Sequence, residues 1–321
     1  MTTAETGLDR APLVAIATGR PERAPWRSRV GRSIRRHWQL WLMLTPAVIL
    51  TLVFAYIPLY GIQLAFRTYV PAQGLAGGQW VGFQYFIQFF QSPLFGTIVW
   101  NTVRISLWTL AVGFIAPIAL ALLLNQIGGR RSKGFVQTVT YMPHFISLVV
   151  IVAIINIFLS PDTGLLGQLF GSNVLADPDA FTPIYWVSEV WQHTGWNAII
   201  YLAALSTVDP ALYEAAKIDG AGRLRLIRYV DIPAIVPTAA ILLILNMGSV
   251  LNVGFEKVFL LQNTLNLSSS EVISTYTYKI GILSNQFSYS TAIGLFNTVI
   301  NLAFLVIANQ LAKRTTGSSV F

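Results

Sequence analysis

The sequence contains no cysteine, few charged residues and none of the short motifs of nucleotide-binding enzymes. The absence of cysteine excludes disulfides, thiolate nucleophiles and cysteine-ligated metals. No G-x-x-x-x-G-K-S/T stretch, nucleophile elbow or kinase motif set occurs, so a P-loop for ATP is excluded. His37, His144 and His193 are scattered and lack the HExxH spacing of a zinc site. We therefore predict no catalytic residue, no metal site and no cofactor bound by this chain.

The low charge points to a membrane protein. Only 11% of the 321 residues are charged and 54% are hydrophobic, whereas soluble domains carry roughly a quarter charged residues. The net charge is +8, but the basic residues flank apolar segments and form no aromatic-interleaved patch, which excludes nucleic acid as a partner. The composition predicts an all-α polytopic protein in the lipid bilayer.

Six apolar segments approach the roughly 20 residues that cross a bilayer. The predicted spans are Leu40–Phe66, Ile105–Leu124, Val136–Leu159, Ile184–Ser206, Ala234–Leu261 and Tyr289–Leu311. Lysine and arginine concentrate in alternate connections, so the positive-inside rule places both termini in the cytoplasm. The predicted domains are a basic cytoplasmic arm (1–37), a transmembrane domain (38–314) and a short cytoplasmic tail (315–321).

One polar segment, Asp209–Pro237, interrupts the apolar second half. Asp209 can cap a helix that begins at Pro210, and Gly220 can end it with a sharp turn. A second short helix is predicted over Arg223–Val230. The pattern fits a compact helical knob for another protein's groove, and it equally fits an ordinary basic loop.

The same segment resembles the coupling motif of binding-protein-dependent ABC importer permeases: EAA, three residues, G, nine residues, I-x-L-P. Glu214, Ala215, Ala216 and Gly220 match outright, and Val230, Ile232 and Pro233 complete the motif with one aliphatic exchange at Val230. Further resemblance lies in the stretches NTVRISLW, TYMPHFIS and FSYSTAIGLFNTVINL. They resemble the carbohydrate branch of this family and, within that branch, the polysaccharide and oligosaccharide permeases. The resemblance extends over Trp38–Arg314 and leaves out the arm.

This resemblance implies a maltose-type fold with six transmembrane helices in the bacterial inner membrane. It implies a heterodimer with a second, related permease subunit, two ATPase subunits that hold ATP and Mg, and an extracytoplasmic substrate-binding protein. The implied cargo is an oligosaccharide; acidic ones such as alginate fragments fall in the range, as do neutral ones. The coupling loop, Asp209–Pro233, would contact the ATPase through Glu214, Ala215, Ala216, Asp219 and Gly220.

Polar residues inside apolar spans are the candidates for a substrate path, because sugar hydroxyls pair with amides and carboxylates and sugar rings stack on aromatic faces. The predicted path residues are Glu189, His193, Trp196, Asn197, Asn252 and Glu256. The alternative is that they form hydrogen bonds between helices. We expect Glu189, Glu256, Arg104 and Lys257 near the outer interface, where snorkelling explains the two basic residues.

Two other classes of membrane protein compete with the importer. An ion-coupled secondary transporter of a small polar solute needs internal repeats with broken helices and ionisable residues at mid-membrane, and no convincing repeat is visible. A channel or scaffold that does not transport is the other. Dependence of uptake on ATP separates the importer from both.

Overall fold

The computed structural model describes residues 37–75, 77–170 and 173–316, and within these ranges every regular element is a helix apart from two isolated bridges. The predicted arm lies outside the described residues except for His37, as does the predicted tail beyond Thr316. The prediction of an all-helical chain is therefore confirmed for the described part.

The first helix begins at Trp38 and changes its winding twice. Helix α1 (Trp38–Thr51) continues as a π turn (Leu52–Tyr56) and then as a 3-10 stretch (Ile57–Phe66). Pro58 lacks a backbone N–H, so it cannot donate the regular helical hydrogen bond, and a local change of winding accommodates this.

The remaining helices follow in chain order. They are α2 (Gln84–Phe90), α3 (Phe95–Asn125), α4 (Arg130–Tyr141), α5 (Leu148–Leu159), α6 (Leu165–Phe170), α7 (Pro178–Ser206), α8 (Pro210–Ile218), α9 (Arg223–Leu226), α10 (Ile232–Met247), α11 (Phe255–Leu261), α12 (Leu267–Ser270), α13 (Ile273–Tyr278) and α14 (Phe287–Thr316). Helices α3 and α7 pack along each other, and α10 packs on α14.

Four of the described helices are long and apolar enough to cross a membrane: Trp38–Phe66, Phe95–Asn125, Arg223–Met247 and Phe287–Arg314. A fifth span results if Arg130–Phe145 and Leu148–Leu159 are counted together, although they meet at a bend of 96°. The predicted fourth span lies in α7, which is 29 residues long but too polar for this set because of groups such as Glu189 and Gln192. The count of six spans and the cytoplasmic termini stay predictions.

Two predicted boundaries are wrong. The predicted span Ala234–Leu261 is broken, because helix α10 ends at Met247 and α11 begins only at Phe255. Gly248 follows the last residue of α10 and Gly254 precedes the first residue of α11, and both have negative φ. The predicted separate helix Arg223–Val230 is instead the first part of the next span, because a π turn (Ile227–Asp231) joins α9 to α10.

Two of the three buried apolar clusters in the described residues join α3 and α7 to neighbouring helices. One joins α3, α5, α7 and α11 through Ile105, Val152, Tyr185 and Val258. The other joins α3, α7 and α10 through side chains that include Ala121, Ala198, Tyr201 and Ile235. Between these helices, the chain leaves a polar cavity.

Candidate functional site

A cavity of about 410 Å³ lies between α3, α7 and the loop that follows α10. Its lining is rich in hydroxyl and amide groups. The polar lining residues are Ser106, Thr109, Tyr185, Glu189, His193, Thr194, Asn197, Asn246, Ser249 and Asn252. Such a lining, inside a bundle of apolar helices, suits a polyhydroxylated solute better than an apolar one.

A chain of ionisable side chains borders this cavity. Lys257 Nζ lies 2.8 Å from Glu189 Oε2, and His193 Nε2 lies 3.3 Å from Glu189 Oε1. His193 Nδ1 in turn lies 3.1 Å from His144 Nδ1, and the His144 ring stacks on Trp196 with 4.5 Å between centroids. The four groups connect α4's end, α7 and α11 into one polar unit.

The position of Lys257 corrects an expectation. Snorkelling requires an ammonium that reaches water, but Lys257 is only 1% exposed and its ammonium is bound to Glu189. A buried charge is tolerated only when an opposite charge or hydrogen bonds compensate it. The basic residue is therefore explained by its partner on α7 rather than by the interface.

An amide cluster holds the loop beside the cavity. Asn252 Oδ1 accepts hydrogen bonds from Asn297 Nδ2 and Asn301 Nδ2, each at 3.0 Å. Asn301 Oδ1 accepts from the backbone N–H of Leu251 at 3.0 Å. These amides of α14 stabilise the break after α10, because they hydrogen-bond the loop where the helix has ended.

Three hydroxyls in the lining form no hydrogen bond with any described residue. They are Ser106 Oγ, Thr109 Oγ1 and Thr194 Oγ1, and all three atoms are buried. A buried polar group without a partner costs free energy, so these hydroxyls are available to a solute or to water in the cavity.

The structure brings four of the six predicted path residues to this cavity: Glu189, His193, Asn197 and Asn252. Trp196 is absent from the lining and packs on His144, while Glu256 is exposed in the first turn of α11. Sequence reasoning missed the lining hydroxyls, because serine and threonine are common in apolar helices and carry no signal of their own.

Tyr185 was missed as well, and it has a second role at the cavity. Its hydroxyl accepts a hydrogen bond from the backbone N–H of Gly254 at 3.1 Å, so α7 also holds the loop that follows α10. Only the tertiary contact reveals this role, because the two residues are 69 positions apart.

The coupling loop has the predicted helix start and end. The Asp209 side chain accepts from the N–H of Ala211 at 2.9 Å, and Pro210 occupies the first turn of α8. Gly220 has φ +76°, a left-handed conformation that glycine adopts without strain. Glu214, Ala215, Asp219 and Gly220 are exposed, and Ala216 is partly exposed.

Apolar side chains are also exposed on this loop. Ile218 is 86% exposed and Leu224 is 82% exposed, on either side of the turn at Gly220. Together with the acidic and small residues before them, they form a surface that has both charge and apolar area.

The base of the coupling loop is fixed by a carboxylate that sequence reasoning did not single out. Asp231 is 0% exposed, and its Oδ1 accepts from the Tyr213 hydroxyl at 2.6 Å and from Asn125 Nδ2 at 3.1 Å. Its Oδ2 accepts from Gln126 Nε2 at 2.8 Å. Burial, reinforced by the hydrogen bond to Asp231, raises the pKa of Tyr213 to about 12.

A comparison with known protein families identifies the chain. Residues 109–317 match the family described as binding-protein-dependent transport system inner membrane component. The chain belongs to this family. The matched region contains most of the cavity lining and the whole coupling loop, and the chain is a permease of the ABC sugar importer type.

Individual relatives agree with this assignment. The permease is 42% identical over 98% of its length, and 98% of the relative's, to the polygalacturonan/rhamnogalacturonan transport system permease protein YteP of Bacillus subtilis (strain 168). Its fold matches a chain in the crystal structure of a bacterial ABC transporter involved in the import of the acidic polysaccharide alginate. That match has a TM-score of 0.82 and 38% identity, and it covers 90% of the permease and 99% of the other chain.

A second solved structure shows the same similarity. It is a bacterial alginate ABC transporter in complex with an alginate pentasaccharide-bound periplasmic protein. The match has a TM-score of 0.83 at 38% identity, over 91% of the permease and 100% of the other chain. The family is one of transport permeases rather than enzymes, and the ion-coupled carrier is not favoured.

Proposed function

We propose that this permease imports an oligosaccharide across the bacterial cytoplasmic membrane, and that a substrate-binding protein outside the membrane delivers the sugar. A second, related permease subunit completes the path, and two separate ATPase subunits, which hold ATP and Mg, drive it. The observation that carries the proposal is the combination, in one chain, of a hydroxyl- and amide-lined cavity with an exposed loop that connects two of the helices bordering it, α7 and α10.

The cavity supports a sugar as cargo. A sugar offers both donors and acceptors, and the lining provides amides at Asn197, Asn246 and Asn252 beside the unpartnered hydroxyls. Lys257 and Glu189 compensate each other's charge, so neutral sugar hydroxyls suffice to satisfy the groups that remain. The alginate and polygalacturonan transporters among the relatives extend the proposed range to acidic oligosaccharides.

The coupling loop supports an external motor. Glu214 is exposed and close to the turn at Gly220, and it pairs with no basic residue in the described chain. We propose that it meets an arginine in a groove of the ATPase, while Ala215 and Ala216 keep the contacting helix thin. Closure of the ATPases on ATP would then move the loops together and open the path outward.

Uptake into vesicles tests the function. The permease is co-reconstituted with its second permease subunit and the ATPase, and labelled oligosaccharide is added with the binding protein. We expect uptake that requires ATP and the binding protein. Uptake driven by an ion gradient in the absence of ATP would refute the proposal, as would ATP-dependent uptake that ignores the binding protein.

A further inference from the structure

The base of the coupling loop contains one feature that the proposed function leaves unused. Asp231 is the last residue of the π turn that joins α9 to α10, and it has no exposed surface. A single π turn inside a helix is rare and is frequent at functional positions. Here the turn presents a carboxylate to three donors from two other helical regions.

One of these donors lies within the coupling loop, and the other two lie at the end of α3. Tyr213 belongs to α8, the first helix of the coupling loop, and sits next to Glu214. Asn125 is the last residue of α3 and Gln126 follows it. Asn125 Nδ2 also lies 3.3 Å from the Tyr213 hydroxyl, so the four side chains form a closed cluster, which we call the Asp231 cluster.

The helices that leave this cluster lead to the cavity. Helix α3 runs from Asn125 back to Ser106 and Thr109 in the lining, and α10 runs from Asp231 forward to Asn246 in the lining. At a rise of about 1.5 Å per residue, the paths cover roughly 20–30 Å of helix. The cluster thus connects α8 to two of the helices that enclose the cavity.

The third cavity helix reaches the loop through the chain itself. Helix α7 ends at Ser206, three residues before the Asp209 cap of α8. Without the Asp231 cluster, α8 would be joined to α7 and to α10 only along the chain, and none of these hydrogen bonds would join it directly to α3. A force on α8 would then reach α3 only indirectly, through the packing of α3 against α7.

We infer that Asp231 is a positioning residue for coupling: it fastens α8 to α3 and α10, so that movement of the coupling loop shifts these helices together. The inference rests on the proposed function, because it assumes that α8 receives the movement from an ATPase. The hydrogen bonds are charge-assisted and buried, which makes the link stiffer than an apolar contact of the same size.

The test measures sugar imported per ATP hydrolysed in the complete reconstituted importer. Tyr213→Phe removes only the hydroxyl that joins α8 to the carboxylate, and D231N keeps the shape but removes the charge. The matched control is Tyr229→Phe, in the same π turn, where the side chain is 70% exposed. The double variant D231N/Q126E returns a carboxylate to the cluster from the side of α3.

We expect Tyr213→Phe and D231N to lower the uptake per ATP by about tenfold, the scale of one charge-assisted hydrogen bond, while both variants copurify with the ATPase. Tyr229→Phe should leave the uptake per ATP unchanged, and D231N/Q126E should recover most of the uptake per ATP that D231N loses. Unchanged uptake per ATP in both single variants would overturn the inference, and so would losses that follow only the amount of assembled complex. Failure of the unaltered permease to import with ATP would instead refute the proposed function.

Discussion

Around the cavity, Lys257 and Glu189 meet inside the bundle at 2.8 Å, whereas Glu214 on the coupling loop is exposed and pairs with no described basic residue. The difference follows from the surroundings. A charge inside a bundle of apolar helices must find its counter-charge in the same chain, because desolvation is costly. A charge at an aqueous surface needs no partner within the chain, because water solvates it, and it therefore stays available to another protein.

The same contrast separates stability from function. Residues of the cavity that are paired within the chain hold helices together, so their loss should first lower the stability of the permease. Residues of the coupling loop that lack partners should affect transport and leave stability unchanged. The following substitutions test this division, from the largest expected effect to the smallest.

Glu214→Lys should abolish uptake, because it reverses the charge of the exposed carboxylate that we propose meets an ATPase arginine. The free energy of unfolding should change by no more than about 0.5 kcal/mol, as is usual for an exposed surface position. Uptake by vesicles and thermal unfolding of the purified permease measure the two effects. Gly220→Pro should also abolish uptake while the protein still reaches the membrane; normal uptake in both variants would exclude the loop from the mechanism.

Lys257→Met should destabilise the permease by about 1–3 kcal/mol, because the partly buried Glu189 carboxylate loses its cation and keeps only the contact with His193 at 3.3 Å. Unfolding in a detergent series measures the loss. The double variant Lys257→Met/Glu189→Gln should lose less than the single one, since no uncompensated charge remains. Lys313→Met, at an exposed site in the last turn of α14, is the control. If Lys313→Met and Lys257→Met lowered the free energy of unfolding equally, the paired cavity residues would not differ from exposed ones in their effect on stability.

Gly195→Ala should lower the free energy of unfolding by about 1–3 kcal/mol through overpacking. A Cβ atom at Gly195 would lie 2.0 Å from the carbonyl oxygen of Thr140, so α4 and α7 would have to separate. Gly294→Ala is the matched control, because nothing lies within 4 Å of a Cβ there. If both variants unfold alike, the close approach of α4 to α7 is not a stability determinant.

Thr194→Val should not lower the stability of the permease, because the buried hydroxyl has no hydrogen-bond partner among the described residues to lose. The apparent affinity for the sugar should fall by about threefold, within the range of one neutral hydrogen bond. Concentration-dependent uptake measures it. Thr298→Val, at an exposed hydroxyl bonded to its own helix, serves for comparison and should change neither quantity. If Thr194→Val lowered the stability and left the apparent affinity unchanged, the hydroxyl would serve the packing of the helices and not the binding of sugar.

Several features of this molecule could be predicted because they depend on neighbours along the chain. The start of α8 at Pro210 and its end before Gly220 depend on capping and on glycine's access to positive φ. The EAA spacing is likewise local, and it was enough to identify the family. Four of the predicted path residues meet at one cavity, although their role stays a proposal.

Other features could not be predicted, because they depend on distant contacts. Hydropathy treats Ala234–Leu261 as one span, since it does not register that Asn297 and Asn301 supply hydrogen bonds to the loop that replaces the helix. The 96° bend before Leu148 is invisible for a similar reason. In the sequence, Asp231 does not differ from other polar residues of a basic loop, because its donors Asn125 and Gln126 are more than 100 positions away.

Composition and short-range pattern alone determined that this chain is a helical membrane permease with a coupling loop, because burial in lipid requires apolar helices and local capping needs only adjacent residues. The tertiary structure decided which polar residues face the cavity and which form ion pairs with each other, such as Lys257 and Glu189. It also decided that Asp231 joins three helices. Those outcomes depend on side chains separated by up to 106 positions in the chain, and only packing brings such residues within hydrogen-bond distance.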